Sequence, residues 1–191
     1  MTEGTTGAVI LAAGASTRLG QPKQLIRIAG ETLLDRAVRI AGKAGCLPVI
    51  VVVGAALPEV VTRTTLLGAI KVVNREWRLG MSTSIGRGVE ILQAIAPESR
   101  GVLLMTCDQP AVTSQHIRAL IGSEEITASA YAERRGVPAY FPRSRFSDLR
   151  ELTGDFGARE LLKQARTIAL PGGEVDIDTA TDLADFQSRF V

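Results

Sequence analysis

The stretch that most restricts this chain is Ala8 to Lys23, A-V-I-L-A-A-G-A-S-T-R-L-G-Q-P-K. Four apolar residues, Ala8, Val9, Ile10 and Leu11, stop abruptly in a loop of small residues, and that loop delivers two cations, Arg18 and Lys23. A short apolar run that ends in turn residues suits a strand covered on both faces. Small residues let successive backbone N–H groups approach an anion closely. Cations a few residues later neutralise phosphate charge that the N–H dipoles leave over. The stretch reads as a buried strand feeding a triphosphate cradle, with an ordinary glycine-containing turn as the alternative. It is not a P-loop, which needs G-x-x-x-x-G-K-[ST]. Nor is it the dinucleotide fingerprint, because Gly14 and Gly20 are six apart and the loop has no G-x-G.

The rest of the chain alternates strands and helices. Leu33, Leu34, Ala37, Val38, Ile40 and Ala41 recur at helical spacing, with Thr32 as N-cap and Gly45 as stop. Pro48 to Val53 is a β-branched run, Leu57 to Leu67 a weak helix, and Ala69 to Val73 a short strand. Gly80 to Ser84 opens a helix that closes near Pro97, and Gly101 to Thr106 is the next buried strand. Thr113 can cap a helix carrying Ile117, Leu120 and Ile121. This alternation predicts an α/β fold: a three-layer, Rossmann-like, mostly parallel twisted sheet with helices on both faces. From Ile126 the pattern changes to two strands, Ile126 to Tyr131 and Val137 to Phe141, around a hairpin tip at Glu133-Arg134-Arg135-Gly136. Helical stretches at Arg145 to Leu152 and Ala158 to Ala165, a strand at Thr167 to Leu170 and a last helix from Thr181 complete the chain.

A length of 191 residues without repeat or linker fits a single domain over 1–191. The 22 basic and 20 acidic residues leave a net charge of +2, too balanced for a broad nucleic-acid surface. Cys46 and Cys107 form no disulfide framework or zinc-ligand spacing, and their apolar neighbours point to buried free thiols. The N-terminus carries neither the basic flank nor the apolar core of a signal peptide, and no apolar run reaches membrane-spanning length. These features predict a cytoplasmic protein with no membrane partner.

In open α/β sheets, ligands collect at the carboxyl ends of the strands. One such end is Leu11, at the cradle; another is Thr106, which runs into Cys107-Asp108-Gln109-Pro110. An Asp directly after an apolar strand lies on the sheet rim, where it either meets a cation held on a triphosphate or shapes the turn before Pro110. Magnesium takes one or two protein carboxylates besides phosphate oxygens and water. Asp176 and Asp178, two apart, face the same way in an extended segment, or else cap the last helix together with Thr179, Thr181 or Asp182. Asn74 to Ser84 contains the only tryptophan, Trp77, and ends at a hydroxyl-rich helix N-terminus fit for an anion, a base edge or simple packing. The sole histidine, His116, lies inside a predicted helix, and no Ser-His-Asp or Cys-His arrangement can be assembled.

Five motifs in order, L-A-A-G-A-S-T-R-L-G-Q-P-K, N-x-x-W-x-x-G-M-S-T-S-I, C-D-Q-P, G-D-F-G-A-R and D-I-D-T, span about Ala8 to Asp182. Together they resemble the molybdenum cofactor cytidylyltransferases and their guanylyltransferase cousins, within the sugar-nucleotide and cofactor nucleotidyltransferases. The resemblance implies a nucleotide-diphospho-sugar transferase type of fold and an Mg²⁺- or Mn²⁺-dependent transfer from CTP to molybdopterin. It further implies that Leu11, Ala12, Ala13 and Gly14 contact base and ribose, and that Ser16, Arg18 and Lys23 hold the triphosphate. Asp108 and Asp178 would be the metal ligands, and Lys23, Arg18 and Asp108 the catalytic set. Asn74, Ser82 and Ser84 fall to the nucleotide, and Gly136, Pro138, Asp155 and Arg159 to the acceptor. Ala13 stands where the guanylyltransferases more usually carry Gly, which tilts the base toward cytosine. Val137 stands where many relatives have His, which leaves the acceptor open. The same resemblance admits GTP, a different phosphorylated acceptor, a recipient molybdoenzyme or its chaperone as partner, or a nucleotide-binding module without catalysis.

Overall fold

The structure, a computed structural model, describes residues 4–179, 181, 182, 184 and 186. The apolar run after residue 5 forms β1 (Thr6–Ala12), followed by a ribbon of β2 (Arg27–Ile28) and β3 (Glu31–Thr32). Next come α1 (Leu33–Lys43), β4 (Val49–Val53), α2 (Leu57–Arg63), β5 (Ile70–Val73), α3 (Met81–Ile95) and β6 (Gly101–Thr106). The second half holds α4 (Ser114–Leu120), β7 (Thr127–Tyr131), β8 (Arg134–Pro142), α5 (Phe146–Arg150), α6 (Arg159–Leu162) and β9 (Arg166–Ala169).

One seven-stranded sheet runs in the order β5-β4-β1-β6-β8-β7-β9. β1 pairs in parallel with both β4 and β6. β8 is antiparallel to β6 and β7, and β9 is parallel to β7, so a single strand departs from the common direction. The chain leaves β1 toward β4 and β5, then returns to the other side of β1 as β6. That reversal is a topological switch point, and it opens a crevice at the carboxyl ends of β1 and β6.

Alternation along the strands divides the core. Ala8, Ile10, Ala12, Val51, Leu103 and Met105 face one layer with Leu34, Val38 and Ile117; Val9, Leu11, Val52 and Leu104 face the other with Ile85, Val89 and Phe146. A third, smaller cluster joins Ile26 and Leu33 to Ile177 and Phe186, with Leu19, Ile28 and Val175 packed on it. This cluster folds the segment after β9 back over the loop that follows β1.

Local chemistry sets the helix starts. Thr32 accepts from the Asp35 amide at 3.0 Å to cap α1, and Thr113 accepts from the His116 amide at 3.1 Å to cap α4. Asp35 has a second task, since its Oδ1 accepts from Thr65 N (3.0 Å), Thr65 Oγ1 (3.1 Å) and Leu66 N (2.9 Å). These bonds hold a turn in which Leu66 and Leu67 both adopt positive φ, 50° and 43°. The predicted helix to Leu67 therefore stops at Arg63. Asp35→Ala strands three donors beside a strained turn, and a loss of about 2 kcal/mol is expected in chemical denaturation.

The hairpin tip also shifts. Ala132 and Glu133 take φ of 45° and 57°, making a two-residue turn, so Arg134, Arg135 and Gly136 belong to β8 rather than to the tip. The helices expected at 145–152 and 158–165 shorten to α5 and α6. Thr181, Asp182, Ala184 and Phe186 are helical, and the remainder of the expected last helix lies outside the described residues. Among the described residues no helix is long and apolar enough to cross a membrane.

Candidate active site

The switch point brings together residues that are far apart in the chain. β1 ends at Ala12, and the loop beyond it is held from behind by Gln24, whose Nε2 donates to Ala12 O at 2.8 Å and Gly14 O at 3.2 Å. Gln24 is 0 % exposed, and its Oε1 has no hydrogen-bond partner among the described residues. Ser16 Oγ accepts from the Lys23 amide at 3.1 Å, so the loop closes on itself just before the lysine.

Lys23 extends across the crevice to two acids. Its Nζ donates to Asp108 Oδ2 and, at 3.0 Å, to Asp178 Oδ1. Burial opposes the ammonium charge, but Asp108 and then Asp178 outweigh it and hold the Lys23 pKa above its ordinary value. Arg18, largely exposed, reaches Asp178 Oδ2 at 3.1 Å. Asp108 is 6 % exposed, and its Oδ1 is buried without a partner among the described residues.

Backbone ties place these acids. Asp108 O accepts from Ile177 N at 3.0 Å, fixing the D-I-D-T segment against the end of β6, while Ile177 packs in the small third cluster. Arg36 of α1 donates to Pro110 O (2.7 Å) and Val112 O (2.9 Å), clamping the loop beyond Asp108. Gln109 Nε2 donates to Tyr131 OH and Gly173 O, both at 3.2 Å, and Tyr131 OH donates to Val137 O at 3.1 Å. The capping alternative for the acidic segment coexists with the Lys23 contact. Asp182 Oδ2 accepts from Thr179 N (2.8 Å) and Asp178 N (3.1 Å), and Thr179 Oγ1 accepts from Asp182 N (3.2 Å).

Asp176 forms no ion pair among the described residues. Burial, then the charges of Asp108 and Asp178, push its pKa up to about 6. A carboxyl whose folded pKa exceeds its unfolded value costs stability once it ionises, so the cost is absent below pH 4 and complete above pH 6. Asp176→Asn is therefore expected to raise Tm at pH 8 by roughly 2–4 °C, about 1 kcal/mol after solvent screening, with the gain vanishing near pH 4. A gain independent of pH in thermal melts between pH 4 and 8 would contradict this account.

Other predicted residues form a second group. Asn74 Nδ2 donates to Thr83 Oγ1 and Ser84 Oγ, both at 2.9 Å, and its Oδ1 accepts from Glu76 N. Ser82 Oγ donates to Gly154 O at 2.7 Å, and Asp155 Oδ1 accepts from Met81 N at 3.1 Å. These polar atoms thus have protein partners that fix the N-terminus of α3. The group borders the loop after β1 through Trp77, because a Cβ on Gly54 would lie 2.9 Å from Trp77 and 2.8 Å from Ala13 O. Arg159 starts α6 beside this turn and is exposed. Gly136 and Pro138 lie elsewhere, in β8: Tyr131 OH occupies the space a Cβ on Gly136 would fill, and Pro138 O accepts from Ser129 Oγ at 2.7 Å. The acceptor candidates therefore fall on two sides of the crevice.

His116 Nε2 lies 2.8 Å from Ser129 Oγ, but Ser129 is fully buried and donates its proton to Pro138 O, so the pair is structural. Burial lowers the His116 pKa below its ordinary value. Both thiols are buried, and burial pushes each up to about 12. Sequence reasoning missed Gln24, Arg36 and Tyr131, whose partners are backbone carbonyls or side chains that no local spacing reveals.

The chain matches the MobA-like NTP transferase domain over residues 8–168. It belongs to the MobA-like NTP transferase family. A protein of Paenarthrobacter nicotinovorans named nicotine blue oxidoreductase is 33% identical over 168 residues, 82% of this chain and 80% of the relative. Rv0371c of Mycobacterium tuberculosis superposes with a TM-score of 0.85 at 31% identity, covering 98% of this chain and 100% of that one. The same mycobacterial protein in complex with manganese superposes with a TM-score of 0.78 at 28% identity, covering 97% and 99%. A probable molybdenum cofactor guanylyltransferase of Opitutus terrae is 31% identical over 103 residues, 54% of this chain and 48% of the relative. The MobA-like chain thus has the Rossmann-like nucleotidyltransferase fold and is a nucleotidyltransferase enzyme.

Proposed function

We propose that this chain transfers the cytidylyl group of CTP to the terminal phosphate of a molybdopterin-type acceptor. The observation that carries the reading is the convergence of Lys23, Arg18, Asp108 and Asp178 on the crevice beside the Ala12–Gly14 loop. An acceptor phosphate oxygen attacks the α-phosphorus, the bond from that phosphorus to the β-phosphate bridging oxygen breaks, and pyrophosphate leaves. The attacking phosphate is already ionised at neutral pH, so the reaction needs no strong general base. This matches a site whose one histidine is occupied elsewhere. Rate acceleration then comes from in-line positioning and charge neutralisation. Lys23 and Arg18 supply fixed positive charge toward the phosphates, and the loop held by Gln24 presents backbone amides to the nucleotide.

A divalent ion fits the residues present. Asp108 Oδ1 is a buried anionic oxygen without a partner among the described residues, and Asp178 faces the same crevice. Carboxylate oxygens suit Mg²⁺ and Mn²⁺. Asp108 and Asp178 would hold the ion, which supplies charge neutralisation on the phosphates when bound. The manganese complex of the mycobacterial relative supports a divalent ion on this fold.

A second reading follows from the 33%-identical relative named nicotine blue oxidoreductase: the crevice would serve an oxidoreductase reaction. One experiment separates the two. Pyrophosphate release is measured from CTP, GTP, ATP and UTP with Mg²⁺, with and without molybdopterin. Release from CTP that depends on molybdopterin supports the proposal. Release from GTP alone moves the base, and no release from any nucleotide removes the transferase reading for these substrates.

A further inference from the structure

Lys23 ties together the two acids proposed to hold the divalent ion. Its backbone is pinned by Ser16, while its ammonium bonds Asp108 and Asp178, and Arg18 adds a second cation on Asp178. The pair therefore carries its own counter-charge inside the protein. We infer that Lys23 is an exchangeable internal counter-cation that keeps Asp108 and Asp178 closed to a free divalent ion until a polyphosphate draws the ammonium away. The inference rests on reading those two acids as the metal-holding pair.

The electrostatics favour such an exchange. A divalent ion entering between Asp108 and Asp178 must displace the ammonium or share their charge with it at close range, and like charges within a few ångströms repel strongly. The lysine stem is flexible and its side chain is 22 % exposed, so the ammonium can swing without opening the core. A polyphosphate in the cradle offers it new anionic oxygens and relieves the loss of Asp108. The acids are then released when the phosphates that share the ion are in place. By linkage, a polyphosphate and the divalent ion raise each other's affinity by the same factor. Free metal on its own binds poorly, and the site loads as a metal–polyphosphate unit.

The test is Mn²⁺ binding to the ligand-free protein, read from the electron paramagnetic resonance signal of the unbound hydrated ion. Lys23→Met is expected to bind Mn²⁺ at least about tenfold more tightly than wild type, since one opposite charge commonly shifts a carboxylate by a pKa unit or more. Lys23→Arg keeps the charge and is expected to remain near wild type. Circular dichroism checks that each variant folds, and Lys23→Gln replaces the Met variant if that one does not. Equal Mn²⁺ affinity in wild type and Lys23→Met, with Asp108→Asn weakening both, overturns the gating while leaving the metal pair intact. If adding Asp108→Asn to Lys23→Met leaves its Mn²⁺ affinity unchanged, the metal pair itself is misassigned and the inference falls with it.

Discussion

Asp108→Asn is expected to lower kcat by roughly 10²–10³-fold, while Tm moves by no more than about 4 °C. The substitution keeps the shape of a side chain that is almost fully buried and leaves Lys23 its bond to Asp178. It removes the negative charge, which either pairs the lysine or holds a divalent ion. The backbone tie from Ile177 N to Asp108 O does not involve the side chain, so the acidic segment stays docked. Steady-state pyrophosphate release and thermal melts on the same preparation give both numbers. A kcat within a few-fold of wild type would return Asp108 to the role of a turn residue.

Gly80→Ala should destabilise the fold by about 3 kcal/mol, a fall in Tm of roughly 6–12 °C. Gly80 has φ of 115°, a backbone conformation that L side chains rarely adopt. A Cβ there would lie 2.5 Å from Gly154 O and 2.9 Å from Asp155 N, both backbone atoms that cannot swing aside. The strain falls where Ser82 and Asp155 tie the start of α3 to the Gly154 turn. Differential scanning fluorimetry tests this. An unchanged Tm would mean that the Gly154 turn moves freely away from α3.

The parts of the fold legible in the sequence are those governed by neighbours along the chain. β1 and β6 announce themselves as apolar runs, and Thr32 and Thr113 announce α1 and α4 because a cap acts within one helical turn. The antiparallel insertion of β8 between β6 and β7 was not legible, because pairing order is set by distant partners. The hairpin turn fell at Ala132-Glu133 instead of across Glu133 to Gly136 because two non-glycine residues take positive φ there, against their usual preference. For the site, the motifs singled out Lys23 in the loop after β1, Asp108 on the rim after β6 and Asp178 in the acidic segment, yet nothing in their spacing showed that the lysine bridges the acids across 85 and 155 residues. Gln24 went unnoticed because a polar residue beside Leu25 and Ile26 looks solvated until the carbonyls of Ala12 and Gly14 are found on it. Asn74, Ser82 and Ser84 read as ligand contacts because they are polar and clustered; nothing in that clustering showed that their hydrogen bonds also brace one another and the Gly154 turn.

The return of the acidic segment over the first loop carries a consequence for how the enzyme is made. Translation delivers the cradle and Lys23 early, and every strand of the sheet is synthesised before Asp178. A nascent chain can thus assemble its sheet while Lys23 still lacks its second acid. The crevice becomes chemically complete only when Ile177 and Phe186 reach Ile26 and Leu33. The docking of a few apolar side chains, Ile177 and Phe186 on Ile26 and Leu33, is thus what closes Asp178 onto Lys23.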